Sequence, residues 1–192
     1  PLMLFTVCVG LFHFANAAML PLAGQELSQG QKGSEGGTRV ISECVLMAQF
    51  VMVPMAILVG KRADRWGRKV IFLVAFASLP IRGLLFSMFR SEAALVAIQA
   101  LDGVGAGIYG ALFFLVVRDL THGTGRFNVC LGVVATTQGI GAASSSLVAE
   151  PIAGYFGYNV AFLSLAGFAL IPLVLFAVYM PETGQRQAGQ TK

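Results

Sequence analysis

Polar and ionisable side chains set inside long apolar runs are the residues of this sequence that could do chemistry. His13 and Asn16 stand three apart in the first run, so on a helix they share a face. In a later run Gln99, Asp102, Ala106, Tyr109 and Phe113 fall within a narrow arc at about 100° per residue. Arg82 is alone in the run between them. A charge at the centre of a membrane costs about 2.5–3.5 kcal/mol on insertion scales, so Arg82 and Asp102 each need water or a partner. Arg82 lies seven residues before Phe89 and Asp102 nine after Ala93, which puts both about 10–14 Å deep in antiparallel helices. Two arrangements are open. The charges pair as an intramembrane ion pair, or Asp102 faces a cavity while Arg82 snorkels outward past Pro80. His13, Asn16, Gln99, Asp102 and Tyr109 are thus candidates for a solute or proton pathway, and His13 is equally readable as a packing residue.

A second constellation is the run Gly60-Lys61-Arg62-Ala63-Asp64-Arg65-Trp66-Gly67-Arg68-Lys69. Asp64, at the end of an apolar run and among cations, can pair with an arginine or with the amide end of a helix. Gly60 and Gly67 permit a tight turn and close helix approach. Such a cluster can latch one conformation and release another, in which case Gly60, Asp64, Arg65, Gly67, Arg68 and Lys69 form a conformational latch. No Ser–His–Asp set is positioned by local sequence, and the two histidines lack metal-ligand spacing. We therefore expect no catalytic site, no metal and no cofactor. Gly103, Gly105, Gly107 and Gly110, and Gly139 and Gly141 with Ser144, Ser145 and Ser146, read as tight helix packing.

The elements that must hold these residues are membrane helices. Only 11% of the 192 residues are charged and 56% are hydrophobic, with a mean hydropathy of +0.77; a soluble domain is about 25% charged. Six runs are long enough to cross about 30 Å of hydrocarbon, at 2–23, 40–59, 70–89, 93–117, 127–149 and 160–180. The fold class is all-α integral membrane, a single six-helix bundle over 1–192. The segment 25–39, rich in Gly, Ser and Gln, reads as a flexible external loop. Nine basic residues fall on one side of the six spans, among them Arg118, Arg126, Arg186 and Lys192, against Lys32, Arg39 and Arg90 on the other. The positive-inside rule makes the first side cytoplasmic, with both termini there, in a plasma or inner membrane. The formal charge of +4 therefore reflects topology and implies no nucleic-acid partner. Cys8, Cys44 and Cys130 read as small apolar residues. A start inside an apolar run, without methionine, is expected of a fragment.

A shift of 90 residues superposes Ala63, Trp66, Gly67 and Val70 on Ala153, Phe156, Gly157 and Val160. In an inverted 3+3 repeat those two corners occupy matching places at opposite membrane faces.

The run 60–69 resembles the loop signature G-x-x-x-D-R-x-G-R-[RK] of the major facilitator superfamily (MFS), with every fixed position present and in the expected place between the second and third helices. Gln99-Ala100-Leu101-Asp102-Gly103-Val104-Gly105-Ala106-Gly107 resembles the glycine-rich fourth or tenth helix of that family. Asp119-Leu120-Thr121 fits the following loop, and Pro181-Glu182-Thr183 resembles the acidic ending after the sixth or twelfth helix. Gln99 stands where the family's N-terminal halves usually carry Arg, so the resemblance points to the C-terminal half. It implies a twelve-helix carrier with a central cavity shared by two rocking bundles. The partners implied are membrane lipid, a small-molecule solute and the missing N-terminal six-helix half. The activity implied is secondary active, proton-coupled or solute-coupled transport, of efflux type because the cavity helices carry few charges. The competing reading is a non-transporting membrane interaction or regulatory protein, or an inactive fragment, with the same fold.

Overall fold

In lipid every backbone N–H and C=O must be satisfied within its own segment, and helices are the way an apolar run does this. The computed structural model describes residues 1–29 and 33–183. It contains α1 (Leu2–Ala17), α2 (Met19–Gln29), α3 (Gly33–Trp66), α4 (Arg68–Met88), α5 (Glu92–Ile98), α6 (Ala100–Leu120), α7 (Phe127–Phe156) and α8 (Tyr158–Tyr179), and no strand among the described residues. Because α1 runs into α2 and α5 into α6, these make six rods long and apolar enough to cross a membrane.

Several helices exceed their apolar runs, and two expected loops are corrected. Within the segment 25–39, expected as a flexible external loop, the described residues are helical: α2 continues to Gln29 and α3 starts at Gly33. Gly37 serves contact, since a Cβ there would collide with Ser28, while Arg39 bridges to Glu43 one turn on at 3.0 Å. The basic run 61–69 is helical too. Lys61 to Trp66 finish α3, Arg68 and Lys69 begin α4, and only Gly67 breaks the helix, at φ 85°. Gly60 lies in open space inside α3, so neither a turn nor a close approach uses it. Asp119 and Leu120 belong to α6 rather than to the loop after it. Lys32, Arg186 and Lys192 lie outside the described residues.

The 90-residue shift has a structural counterpart. Gly67 and Gly157, at φ 85° and 87°, each form the one-residue corner between two helices, α3 to α4 and α7 to α8. Positive φ is where glycine lacks the Cβ penalty of other residues. The main contacts also map onto themselves when the first three spans exchange with the last three. α3 on α6 becomes α7 on α1, α1 on α8 becomes α6 on α4, and α4 on α8 is its own image. The two interrupted rods are the first and fourth spans, but their breaks at Ala18 and Gln99 are not superposed by the 90-residue shift.

Small residues set the helix spacing. Gly103 and Gly107 of α6 face the α3 backbone, where a Cβ on Gly107 would lie 2.6 Å from the Met52 carbonyl oxygen. Gly141 of α7 abuts the Gly10 carbonyl of α1 in the same way. Gly110 and Gly139, also expected in tight packing, have nothing within 4 Å of an added Cβ. These two glycines give a matched test. Gly107→Ala forces the backbones apart and should cost about 1–3 kcal/mol of stability, whereas Gly110→Ala should gain up to about 1 kcal/mol from helix propensity. Thermal unfolding of the purified protein should move in opposite directions for the two variants.

Candidate functional site

The sequence restarts a helix at two places beside one cavity. At Ala18 the amide turns sideways to the Ser145 hydroxyl of α7, at 3.0 Å. At Gln99 the carbonyl accepts both the Asp102 and Gly103 amides, at 3.0 and 3.3 Å. This restart places Asp102 in the first turn of α6, where the partial positive charge of a helix N-terminus favours a carboxylate. His13 and Asn16 sit in the last turns of α1, just before its interruption. Between α1, α4 and α6 lies a cavity of about 150 Å³ whose wall includes Phe12, His13, Asn16, Arg82, Asp102 and Tyr109.

Arg82 is the centre of the site. Its side chain is 2% exposed. The guanidinium donates through Nη1 to Asp102 Oδ1 and through Nη2 to Asn16 Oδ1 and, at 3.3 Å, to the Asn16 carbonyl. The Phe86 ring lies 5.8 Å away on the other side. Gln99, itself buried, holds the second oxygen of Asp102 through Nε2 at 3.1 Å. Of the two arrangements open to Arg82 and Asp102, the structure has the paired one, and Arg82 does not snorkel outward. Asp102 lines the cavity as well, so the two readings of Asp102 combine.

His13, Asn16, Gln99, Asp102 and Tyr109 are brought together, though not equivalently. Gln99 grips Asp102 and is no part of the cavity wall. The His13 ring meets Tyr109 edge-on at 4.9 Å, and its Nε2 is buried with no hydrogen-bond partner. Tyr109 donates to Gln138 Oε1 of α7 at 2.7 Å and stacks on Phe113 at 5.0 Å. Gln138 escaped sequence reasoning, and Ser145 reads there as a packing residue without its bond to Ala18. Each is a polar residue among small and apolar ones in α7, and nothing in their spacing says which neighbouring helix they face. The described residues hold no group of His, Cys, Asp and Glu able to bind a metal.

At the end of the bundle that carries Arg68, a second charged cluster forms. Arg68 is buried, bonds Asp119 at the end of α6, and reaches Asp64 one turn back at 3.0 Å. Asp119 is 19% exposed and Asp64 is 83% exposed, so Asp119, absent from the sequence reading of this cluster, is the more enclosed partner. The free amide end of α4 is taken by Glu182, whose Oε1 accepts from the Lys69 amide at 3.1 Å. Gly67 leaves room for that carboxylate, since a Cβ there would lie 2.9 Å from Glu182 Oε2. Arg65 is exposed.

Removing one member of a buried pair strands the other charge, at about 3–5 kcal/mol, whereas removing both is close to neutral. Arg82→Ala and Asp102→Ala should each lower the yield of folded protein, and the double variant should recover part of the loss. A double variant as poor as the two single losses combined would mean the charges do not stabilise one another.

The site and fold can be set beside known proteins. The family profile described as Major Facilitator Superfamily matches residues 2–192. An uncharacterized MFS-type transporter of Mycobacterium tuberculosis is 54% identical over 182 residues, which is 95% of this chain and 43% of that protein. The tetracenomycin C resistance and export protein of Streptomyces glaucescens is 24% identical over 189 residues, 96% of this chain and 34% of that one. The crystal structure of the peptide transporter POT shares the fold at a TM-score of 0.73 and 21% identity, covering 92% of this chain and 37% of its own. The chain thus spans less than half the length of the relatives it matches. Six membrane-length helices, the profile match over nearly every residue and the 54% identity together place this chain in the Major Facilitator Superfamily.

Proposed function

We propose that this chain is one half, the C-terminal one, of a secondary active carrier that moves a small solute across the cell membrane by alternating access. The observation that carries the reading is the Arg82–Asp102 pair, bonded between α4 and the interrupted fourth span at the wall of the cavity. Ionisable groups at membrane depth are costly and are kept where a solute or proton pathway needs them. Coupling is to a proton, with Asp102 and His13 as the groups on the cavity wall that can carry one. The solute is mainly apolar and the direction outward. Supporting this are the aromatic cavity wall of Phe12, His13 and Tyr109, a charge pair that adds no net charge, and a relative named for export of tetracenomycin C. No chemical conversion of the solute is involved.

The N-terminal half and membrane lipid cover the apolar surface that the bundle leaves open. Leu46, Phe50, Val53 and Ile57 of α3 and Val133, Ile140 and Leu147 of α7 are all exposed. The Arg68 cluster is the conformational latch: Asp64, Asp119 and Glu182 tie α3, α6 and the segment after α8 to the start of α4, and must release when the bundle rocks. The basic end, with both termini, faces the cytoplasm.

Cells expressing the complete carrier should accumulate less of an apolar fluorescent compound than cells without it. At equal expression Asp102→Asn should cut that difference at least about tenfold, the size expected when about 1.4 kcal/mol of functional interaction is lost. Asp64→Asn should weaken transport more than it lowers the amount in the membrane. Accumulation indifferent to the carrier, across apolar compounds and with or without a proton gradient, would reject the reading.

Orientation has its own check. With Cys8, Cys44 and Cys130 replaced by alanine, a cysteine at Phe89 should react with an impermeant thiol reagent from outside the cell, and one at His122 only after the membrane is opened. The reverse pattern would invert the topology.

A further inference from the structure

The acceptors around Arg82 are oxygens of the kind that a metal cation also takes. The guanidinium meets the Asn16 carbonyl, the Asn16 side-chain oxygen and one oxygen of Asp102. That is an all-oxygen set with one formal negative charge, the donor type that hard cations take. An arginine built into a helix contact is usually matched as a fork, two parallel bonds to one carboxylate. Here Asp102 spends its second oxygen on Gln99 instead, and Arg82 Nε is buried without an acceptor. The set fits the charge of Arg82 better than its shape. Gln99 Oε1, buried and also without a partner, leaves a further unused acceptor beside the carboxylate.

The positions of these oxygens agree. Asn16 lies just before the interruption of the first span at Ala18, and Asp102 just after that of the fourth at Gln99. Interrupted helices supply carbonyls and helix ends that replace the water shell of an ion inside a membrane. The cavity of about 150 Å³ at the same place has room for a small free cation.

We propose that Asn16 and Asp102 form a monovalent-cation site across the two interrupted spans, and that Arg82 fills it as a tethered cation. It holds the two helices together as a bound ion would, but cannot dissociate from α4. For transport, and resting on the reading above, the consequence is that no free Na⁺ or K⁺ is bound and released here, and a proton on Asp102 is the charge left to move.

Removing the tether should open the site to a free cation. The complete protein carrying Arg82→Ala is followed by thermal unfolding in millimolar guanidinium chloride and in choline chloride of equal ionic strength. The variant should melt several degrees below wild type in choline, and guanidinium should restore most of that loss. Wild type, its site already filled, should melt alike in both salts, as should Arg82→Ala/Asp102→Asn, whose site has lost its charge. Equal melting of Arg82→Ala in the two salts, or the same rescue in the double variant, would overturn the proposal. If Arg82→Ala gives no folded protein in choline, folded yield becomes the readout: recovery when guanidinium is present throughout purification supports the site, and no recovery overturns it. Solute movement is not measured, so a wrong solute or coupling ion leaves this result standing.

Discussion

A guanidinium buried among apolar helices must be ringed by acceptors, and meeting that demand for Arg82 fixes where three helices can stand. Asn16 brings α1, Asp102 brings α6, and Arg82 itself is the contribution of α4. Each partner lies close to the interruption of its span. The restart at Gln99 gives Asp102 a helix N-terminus, and the break at Ala18 is held by Ser145 from α7. The cavity then follows, since polar groups tied to one another across a gap keep the apolar walls from closing over it. His13 and Tyr109 occupy the remaining wall through ring contacts rather than through charge.

The same economy of charge recurs at the two ends of the bundle. At one end Arg68 joins α4 to Asp64 and Asp119, with Glu182 on the neighbouring amide. At the other, Arg90 joins the end of α4 to Glu26 of α2 and Asn159 of α8. Under the repeat exchange the start of α4 becomes the start of α8 and the end of α6 becomes the end of α2, so both ends are tied across equivalent helix termini by an arginine.

The interior of this bundle is unevenly covered. α4 carries a long row of buried residues, while α3 and α7 show rows of large apolar side chains to the outside. Those two helices are repeat equivalents, so the asymmetry between inside and outside respects the internal symmetry. Apolar side chains in such numbers are stable against lipid or against another apolar bundle, and against little else.

Composition and run length alone determined that the chain crosses a membrane six times, because lipid leaves a long apolar segment no option but a helix. The family signature at 60–69 was legible because its glycines and charges sit at fixed spacings along the chain, and the weak 90-residue repeat because Gly67 and Gly157 hold the same positive-φ corner. The sequence likewise brought Arg82 and Asp102 to matched depth, since depth is a count of residues along a helix. It could not say that they meet, because meeting depends on which faces turn toward each other, and that is settled by packing of Gly103 and Gly107 on α3 and Gly141 on α1. Tertiary contact alone supplied Gln138 to Tyr109, Ser145 to Ala18, and Asp119 and Glu182 to the Arg68 corner. It also carried helix into the polar residues 25–29 and 33–39, because α2 and α3 support one another where local composition favours a loop. Local chemistry writes the elements and their depth, and only the assembled bundle decides which polar groups face each other across 50 or 100 residues of chain, because no local pattern encodes the rotation of one helix against another.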